Sequence, residues 1–252
     1  MHITPELLRA AHADAWQVEG ELRRPHGGDA IELPGARLMC SGLAHPQWNS
    51  GDVDDPALVD LGQVAAWYSD RAAAWGLRLP VGCPWPHGRR ILTKPLMGRD
   101  LSDLPVAPAV PGLDLRMVTA DDLDAVLSID SAAFGSDPVV EAPWCGPHLA
   151  DPRVDVLLGV LDGVPVATGY GVRSDGRAGP ATHVGGICVL PEHEGRGVGT
   201  AVTAGLLTMA AGAGARLAHL EPETPRAASV YRRLGFVELP GIDIYLDNAA
   251  PA

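Results

Sequence analysis

The chain has no CxxC pair, no apolar run of membrane-spanning length and a shortage of positive charge. Its 252 residues carry 19 lysines and arginines against 31 aspartates and glutamates, for a formal net charge of −12. A nonspecific nucleic-acid binder needs a basic face, so that class is excluded, and an anionic membrane surface is excluded on the same ground. An anionic ligand would have to be held by a local site rather than drawn in by the overall field. The cysteines, Cys40, Cys83, Cys145 and Cys188, are widely spaced and read as reduced, mostly buried thiols, without a metal or disulfide framework. No apolar segment of signal-peptide type follows Met1, and the expected location is cytoplasmic. Glu192 and His193 do not complete an HExxH motif, so no metal is expected.

What the chain does have is glycine and proline, 30 and 23 residues respectively, which imply many turns and short elements. The length allows one or two domains. Thr4-Pro5 starts a helix over residues 4–24, with Leu7, Leu8, Ala11, Ala15 and Val18 at helical spacing. Strands are expected at 36–42 and 77–81. Asp52-Val-Asp-Asp-Pro56 reads as the start of a second helix that runs towards Trp75. The proline-rich stretch 104–112 is the best linker in the chain and separates a first unit, 1–103, from a second, 113–252. In the second unit a strand at 113–118 leads into a helix that Thr119 starts, and 135–150 reads as a loop. The strands 154–161 and 164–172 are joined by the hairpin signal Asp162-Gly163. Then come a strand ending in Ile187-Cys188-Val189, a helix at 201–211, a strand at 216–221, a helix at 227–234, and two strands at 236–239 and 242–246. The fold class is α/β, with a mixed sheet.

The stretch that organises this second unit is Glu194-Gly-Arg-Gly-Val-Gly-Thr200, between the apolar strand and the helix. A glycine loop at a helix N-terminus presents several unpaired backbone N–H groups in one direction, with the positive end of the helix dipole behind them. That is a cradle for phosphate. No GK[ST] follows, so it is not a P-loop, and its third glycine comes one residue too early for the dinucleotide fingerprint. A purely structural strand–helix turn is the alternative. Arg196-Gly-Val-Gly-Thr200, preceded by Ile187-Cys-Val189 and followed later by Tyr231-Arg-Arg-Leu-Gly-Phe236, resembles the acyl-CoA loop and the late Tyr-x-x-x-Gly-Phe signature of the GNAT superfamily of N-acyltransferases. The resemblance covers roughly residues 113–247 and implies the acyl-CoA N-acyltransferase fold, with acetyl-CoA as cosubstrate.

By that resemblance, the backbone of Ile187, Cys188 and Val189 pairs with the pantetheine arm where two strands splay apart. The N–H groups of Gly195, Arg196, Gly197, Val198, Gly199 and Thr200 hold the pyrophosphate, and Thr200 is also available to cap the helix. Glu194 departs from the family pattern, which has Gln or Arg there, and sets a carboxylate beside a diphosphate. Tyr231 corresponds to the family's acid for the departing thiolate, and the Val189 N–H to its oxyanion donor. The general base is open among Glu221, Glu223, His183 and Glu141, with Glu221 taken forward. Thr224 stands where the family has an Asn, and Trp144 and Cys145 are candidates for the acceptor pocket. Residues 1–103 resemble a degenerate first GNAT repeat on element order and Pro46-Gln-Trp-Asn49. They have Asp52, Asp54 and Asp55 in place of the glycine loop, so a single cofactor site and a structural role for this half are expected. The implied activity is acetyl transfer to a primary amine of a small molecule or peptide. A non-catalytic acyl-CoA sensor is the alternative, and the oligomeric state, a homodimer included, stays open.

Overall fold

The computed structural model describes residues 1–71, 74–107, 109–135, 137–246 and 248. The chain runs α1 (Pro5–Leu22), β1 (Asp29–Leu33), β2 (Ala36–Cys40), β3 (Ser50–Val53), α2 (Leu61–Ser69), β4 (Gly76–Pro80), β5 (Arg89–Asp100) and β6 (Leu113–Met117). It continues through α3 (Leu123–Phe134), α4 (Pro138–Cys145), β7 (Val154–Leu161), β8 (Val164–Gly176) and β9 (Gly179–Val189). It ends with α5 (Val198–Gly212), β10 (Leu217–Leu220), α6 (Pro225–Arg233) and β11 (Val237–Leu246). No helix among the described residues is long and apolar enough to cross a membrane.

All eleven strands form one mixed sheet, in the order β1-β2-β3-β4-β11-β5-β10-β9-β8-β7-β6. Strand β5 comes before the proline-rich stretch, yet it lies between β10 and β11, antiparallel to both. Its alternate side chains go to opposite faces of the sheet. Leu96 joins the cluster with Leu8 and Ala11 of α1, while Met97 joins the cluster of Val202, Leu206 and Leu207 on α5. Strand β7 repeats the pattern, with Val154 and Val156 against Val18 and Leu22 of α1 and Leu157 against α5. Helices α1 and α5 therefore cover the two faces of the sheet, and α1 also packs on β2 of its own half and on β11 of the second half.

Where local signals are strong, elements start as expected. The Thr4 hydroxyl accepts from the Leu7 N–H at 3.2 Å, and Pro5 occupies the first turn of α1. Asp162 and Gly163 both adopt positive φ, 50° and 85°, in the β7–β8 hairpin. Three expectations need correction. Asp52 starts no helix; it lies in β3, where Ser50–Asp52 pair with β4, and the cap of α2 is Asp60, which accepts from the Gly62 and Gln63 N–H groups. The stretch 135–150 is largely helical, because Asp137 caps α4 and Pro138 opens it, the same device as Thr4-Pro5. The last two strands are one strand, β11, with a break in register between Leu239 and Ile242. Strands β1, β3 and β5 had no clear signal and were not foreseen.

Because α1, β5 and the second half share one core, unfolding should be a single cooperative event. Leu8 is fully buried. Leu8→Ala should cost about 2–5 kcal/mol. In urea titrations followed by circular dichroism and by tryptophan fluorescence, the variant's two curves should move together to a lower midpoint. A split into two transitions would show that the halves fold separately.

Candidate active site

Strands β9 and β10 run parallel but pair only from Ala181↔Leu217 to His183↔His219. Beyond His183, β9 continues to Val189 beside β8, while β10 ends and the chain turns into α6. The two strands splay apart, which leaves one edge of β9 open. The Leu190 N–H donates to the Val166 carbonyl on β8, and Cys188 is opposite Thr168. By strand alternation the amides of Ile187 and Val189 face the splay. A groove of about 1620 Å³ runs from this opening along the glycine loop and into the boundary between the two halves.

Gly195, Gly197, Val198, Gly199 and Thr200 all line this groove, together with Ile187, Cys188 and Val189. Gly197 is the N-cap of α5 at φ 86°, a left-handed conformation that favours glycine. With no side chain there, the first-turn N–H groups of Val198, Gly199 and Thr200 are left without a side-chain cap, and a Cβ built at Gly195 meets nothing within 4 Å. The cradle is bare and aligned with a helix dipole, so it fits a diphosphate, and the open β9 edge fits an extended amide-bearing arm. Arg196 is exposed and is not among the residues that line the groove. Thr200 makes no cap to the helix, whose N-cap is Gly197. The misplaced charge of Glu194 is answered by Arg226 of α6, 2.8 Å away.

Tyr231 lines the groove from α6, with its ring edge-on to Phe236 at 5.9 Å. Burial, followed by the nearby Cys188 and Glu223, pushes its phenol up to about 12, so it keeps its proton throughout the neutral range. Thr224 caps α6 by accepting from the Ala227 N–H at 3.1 Å. Of the base candidates, Glu223 is exposed and takes a hydrogen bond from Lys94 at 2.7 Å. His183 is buried, and burial holds its imidazole down to about 4, hence neutral. Glu141 lies on the groove wall with Asp130 and Cys145, and burial drives the Cys145 thiol up to about 12. The Cys188 thiol donates to Asp130 at 3.2 Å.

Glu221 has the most elaborate setting. It follows β10 directly and is only 13% exposed, with Oε1 2.7 Å from His12 Nε2 and Oε2 3.5 Å from Lys94 Nζ. His12, fully buried on α1, reaches Asp52 Oδ1 through its Nδ1 at 2.8 Å. Asp52 in turn is paired with Arg78 at 3.4 Å. Burial opposes charge on every member of this chain. For Glu221, His12 and then Lys94 outweigh burial and hold the carboxyl well below its usual range. For Asp52, Arg78 and then His12 do the same. For His12, burial is outweighed by Asp52 and Glu221 together, and its imidazole is raised above 6.5. Beside this network Trp48 stacks on Trp144 at 4.7 Å, Arg78 lies over Trp16 at 4.1 Å, and Arg23 lies over Trp144 at 3.7 Å. Trp144 and Cys145 line the groove at the boundary.

His12, Asp52, Arg78, Lys94, Trp16 and Trp48 come from the first half and were not foreseen as site residues. Two signals were available. Lys94 is the only lysine in the sequence, and His12 interrupts the apolar face formed by Leu8, Ala11 and Ala15.

The profile of the Acetyltransferase (GNAT) family matches residues 123–236. A mycothiol acetyltransferase from Pseudarthrobacter chlorophenolicus is 32% identical over 240 residues, which is 82% of this chain and 69% of that protein. A mycothiol acetyltransferase from Actinosynnema mirum is 32% identical over 193 residues, which is 71% of this chain but only 62% of that protein's length. Among solved structures, a GCN5-related N-acetyltransferase from Kribbella flavida covers 96% of both chains with a TM-score of 0.67, at 23% identity. One from Sphaerobacter thermophilus covers 98% of this chain and 93% of its own with a TM-score of 0.57, at 19% identity. At those identities the structures speak to the fold alone, and the sequence relatives carry the assignment. The chain belongs to the GNAT family of N-acetyltransferases, whose cosubstrate is acetyl-CoA.

Proposed function

We propose that this protein transfers an acetyl group from acetyl-CoA directly to a primary amine of a small-molecule acceptor. The observation that carries the reading is the single groove that joins a bare glycine cradle, an open β9 edge, a protonated Tyr231 and an ionised Glu221. The N–H groups from Gly195 to Thr200 hold the pyrophosphate, with Arg196 as a solvent-side charge, and Ile187, Cys188 and Val189 hold the pantetheine arm. The bound thioester supplies an activated acyl carbon. The Val189 amide donates to the oxyanion formed there. Glu221 orients the acceptor ammonium and takes its proton, and Tyr231 hydrogen-bonds the departing sulfur and protonates it.

The curated relatives are mycothiol acetyltransferases, which makes a polar small-molecule amine the first acceptor class to test. We also propose that residues 1–103 are a degenerate GNAT-like half that binds no cofactor and builds the acceptor side of the groove. Trp16, Trp48, Arg78 and Lys94 support that role, since all four line the groove.

Release of the CoA thiol is the assay, with glucosamine, glycine methyl ester and spermidine as acceptors. Tyr231→Phe should lower kcat by about 10²-fold while acetyl-CoA Kd stays within twofold. If acetyl-CoA binds and no acceptor yields thiol, the protein is an acyl-CoA sensor. If acetyl-CoA leaves the melting temperature unmoved, both readings fail. A second test concerns Glu194. Arg226→Ala should weaken acetyl-CoA binding about 2–5-fold at low ionic strength, and salt at about 0.5 M should erase the difference, because the pair is exposed and screened. A loss that persists in salt would mean that Arg226 contacts the cosubstrate itself.

A further inference from the structure

Glu221 poses a difficulty for proton transfer. A carboxylate held strongly in its ionised form is well placed to receive an ammonium group but poorly suited to keep the proton. The proton must travel on, and a hydrogen-bonded line leads from this carboxylate into the interior. From Glu221 Oε1 it is 2.7 Å to His12 Nε2, and from His12 Nδ1 it is 2.8 Å to Asp52 Oδ1. The line runs from the groove into the interior and crosses from the second half of the chain to the first. Neighbouring groups support an imidazole that changes charge. The Trp16 indole Nε1 lies 2.9 Å from the same Nε2 and can donate to it when that nitrogen carries no proton, while Glu221 accepts from it when it does.

We propose that His12, oriented by Asp52, is the terminal proton acceptor of a relay through Glu221, so that the first helix of the degenerate half completes the catalytic site of the other. The inference rests on the amine-acetyltransferase reading above. In the resting state that reacts, Nδ1–H donates to Asp52 and Nε2 is unprotonated. The acceptor ammonium gives one N–H proton to Glu221 Oε1, and that proton passes to His12 Nε2. The nitrogen lone pair freed by this transfer attacks the acyl carbon, the C–S bond breaks as the tetrahedral adduct collapses, and the second proton shed by the nitrogen replaces the one that Tyr231 gives to the sulfur. The positive charge moves from the substrate nitrogen to an imidazolium between two carboxylates, and Asp52 stays ionised. This proton is the one that the overall conversion of ammonium and thioester into amide and thiol releases to solvent. His12 acts through Glu221 and does not touch the substrate, so it is a positioning and relay residue.

The raised imidazole of His12 fits the task, because it is the one group in the relay whose hold on a proton is strengthened. Other charges bear on it from every side. Arg78 on β4 and Arg37 on β2 act through Asp52, and Lys94 on β5 acts through Glu221. His183 on β9 and His219 on β10 stay neutral, both lowered by burial first. Glu223 sits on the far side of Lys94.

The test is the pH dependence of kcat/KM for the acceptor that gives the highest thiol release in the panel above, compared with methoxyamine, a weakly basic amine already neutral in the assay. The wild type should gain activity as pH rises through a midpoint above 6.5. His12→Gln should lose at least about tenfold at pH 8 and lose that limb, with KM for acetyl-CoA unchanged and little penalty for methoxyamine. Asp52→Asn should move the midpoint down. A limb that survives in His12→Gln, or an equal loss for methoxyamine, overturns the relay. Nitrogen-15 NMR of the imidazoles, with His12 assigned by difference against His12→Gln, needs no acceptor. Titration of His12 at or below 6.5 in the wild type overturns the proposal, and a value above 6.5 that falls in Glu221→Gln supports it. If Glu221→Gln itself leaves the rate unchanged, the fault lies with the base assigned to the acetyl transfer. If Glu221→Gln is impaired while His12→Gln behaves as wild type, only the relay fails.

Discussion

Strand β5 separates β10 from β11, and the active groove depends on that placement. Glu221 follows β10 immediately, and the lysine that faces it, Lys94, comes from β5, where it pairs with Ile242 of β11. The imidazole on the other side of Glu221 comes from α1, more than 200 residues away in the chain. Burying any one of these charges alone would be strongly unfavourable, and each is tolerated only with its partners in place. The network therefore favours the one strand register that brings all of them together. Its contribution to stability has a definite pH window. Ionised Glu221 and Asp52, with ordinary values of 4.5 and 3.8, stabilise above those values, and the gain is lost as pH falls through their lowered folded values. Protonated His12 stabilises fully below 6.5, and that gain is lost as pH rises through its raised folded value. Between about 4.5 and 6.5 all three contributions are present.

An acidic protein that binds an anionic cosubstrate needs local compensation, and at the proposed cradle most of it would come from backbone. The amides of the glycine loop and the first turn of α5 carry partial charge that does not alter the net −12. The carboxylate nearest the loop, Glu194, is matched by Arg226 from the helix across the groove. On the acceptor side the balance is different. Glu221, Glu223, Asp130 and Glu141 face the groove, and Lys94 is bound to the first two. Under the proposed function, a cationic amine approaching that wall would compete with Lys94 for the carboxylates, so electrostatic selection would fall on the acceptor while geometry would hold the cosubstrate.

The parts legible in the sequence were those encoded locally. The glycine loop, the Thr4 and Thr119 caps, the Asp162-Gly163 hairpin and the Tyr231–Phe236 signature each depend on residues within a turn of one another. What was missed depends on pairing at a distance. Strand β5 contains Pro95 and three basic residues before Leu96, and nothing in that local pattern says that it enters the second half's sheet. Asp52 was misread because it stands in the run Asp52-Val-Asp-Asp-Pro56, whose helix-start signal, Asp55-Pro56, opens only a short 3-10 turn, whereas the partners of Asp52, His12 and Arg78, are 40 and 26 residues away. The stretch 135–150 was misread for the opposite reason. Its many glycines and prolines suggested a loop, although Asp137-Pro138 was as good a helix start as Thr4-Pro5.

The first half lacks any counterpart of the glycine loop, and a purely structural role would ask only that it pack and cover an edge. Packing can be supplied by apolar side chains at lower cost than by buried ions. Yet the surface that α1 and β3 turn towards β10 contains His12, Asp52 and Trp16, and its neighbour β4 adds Arg78. Arg37 and Asp14 form a second buried pair on the same side. An interface that only had to close the sheet would gain nothing from a charged chain ending at a groove-lining carboxylate. The charges make sense if the half without a glycine loop sets the protonation of the half that carries one. On that reading its lack of a glycine loop and its possession of His12 and Asp52 belong together. Asp52, which would repel a pyrophosphate, is also one of the two carboxylates that strengthen the hold of His12 on a proton.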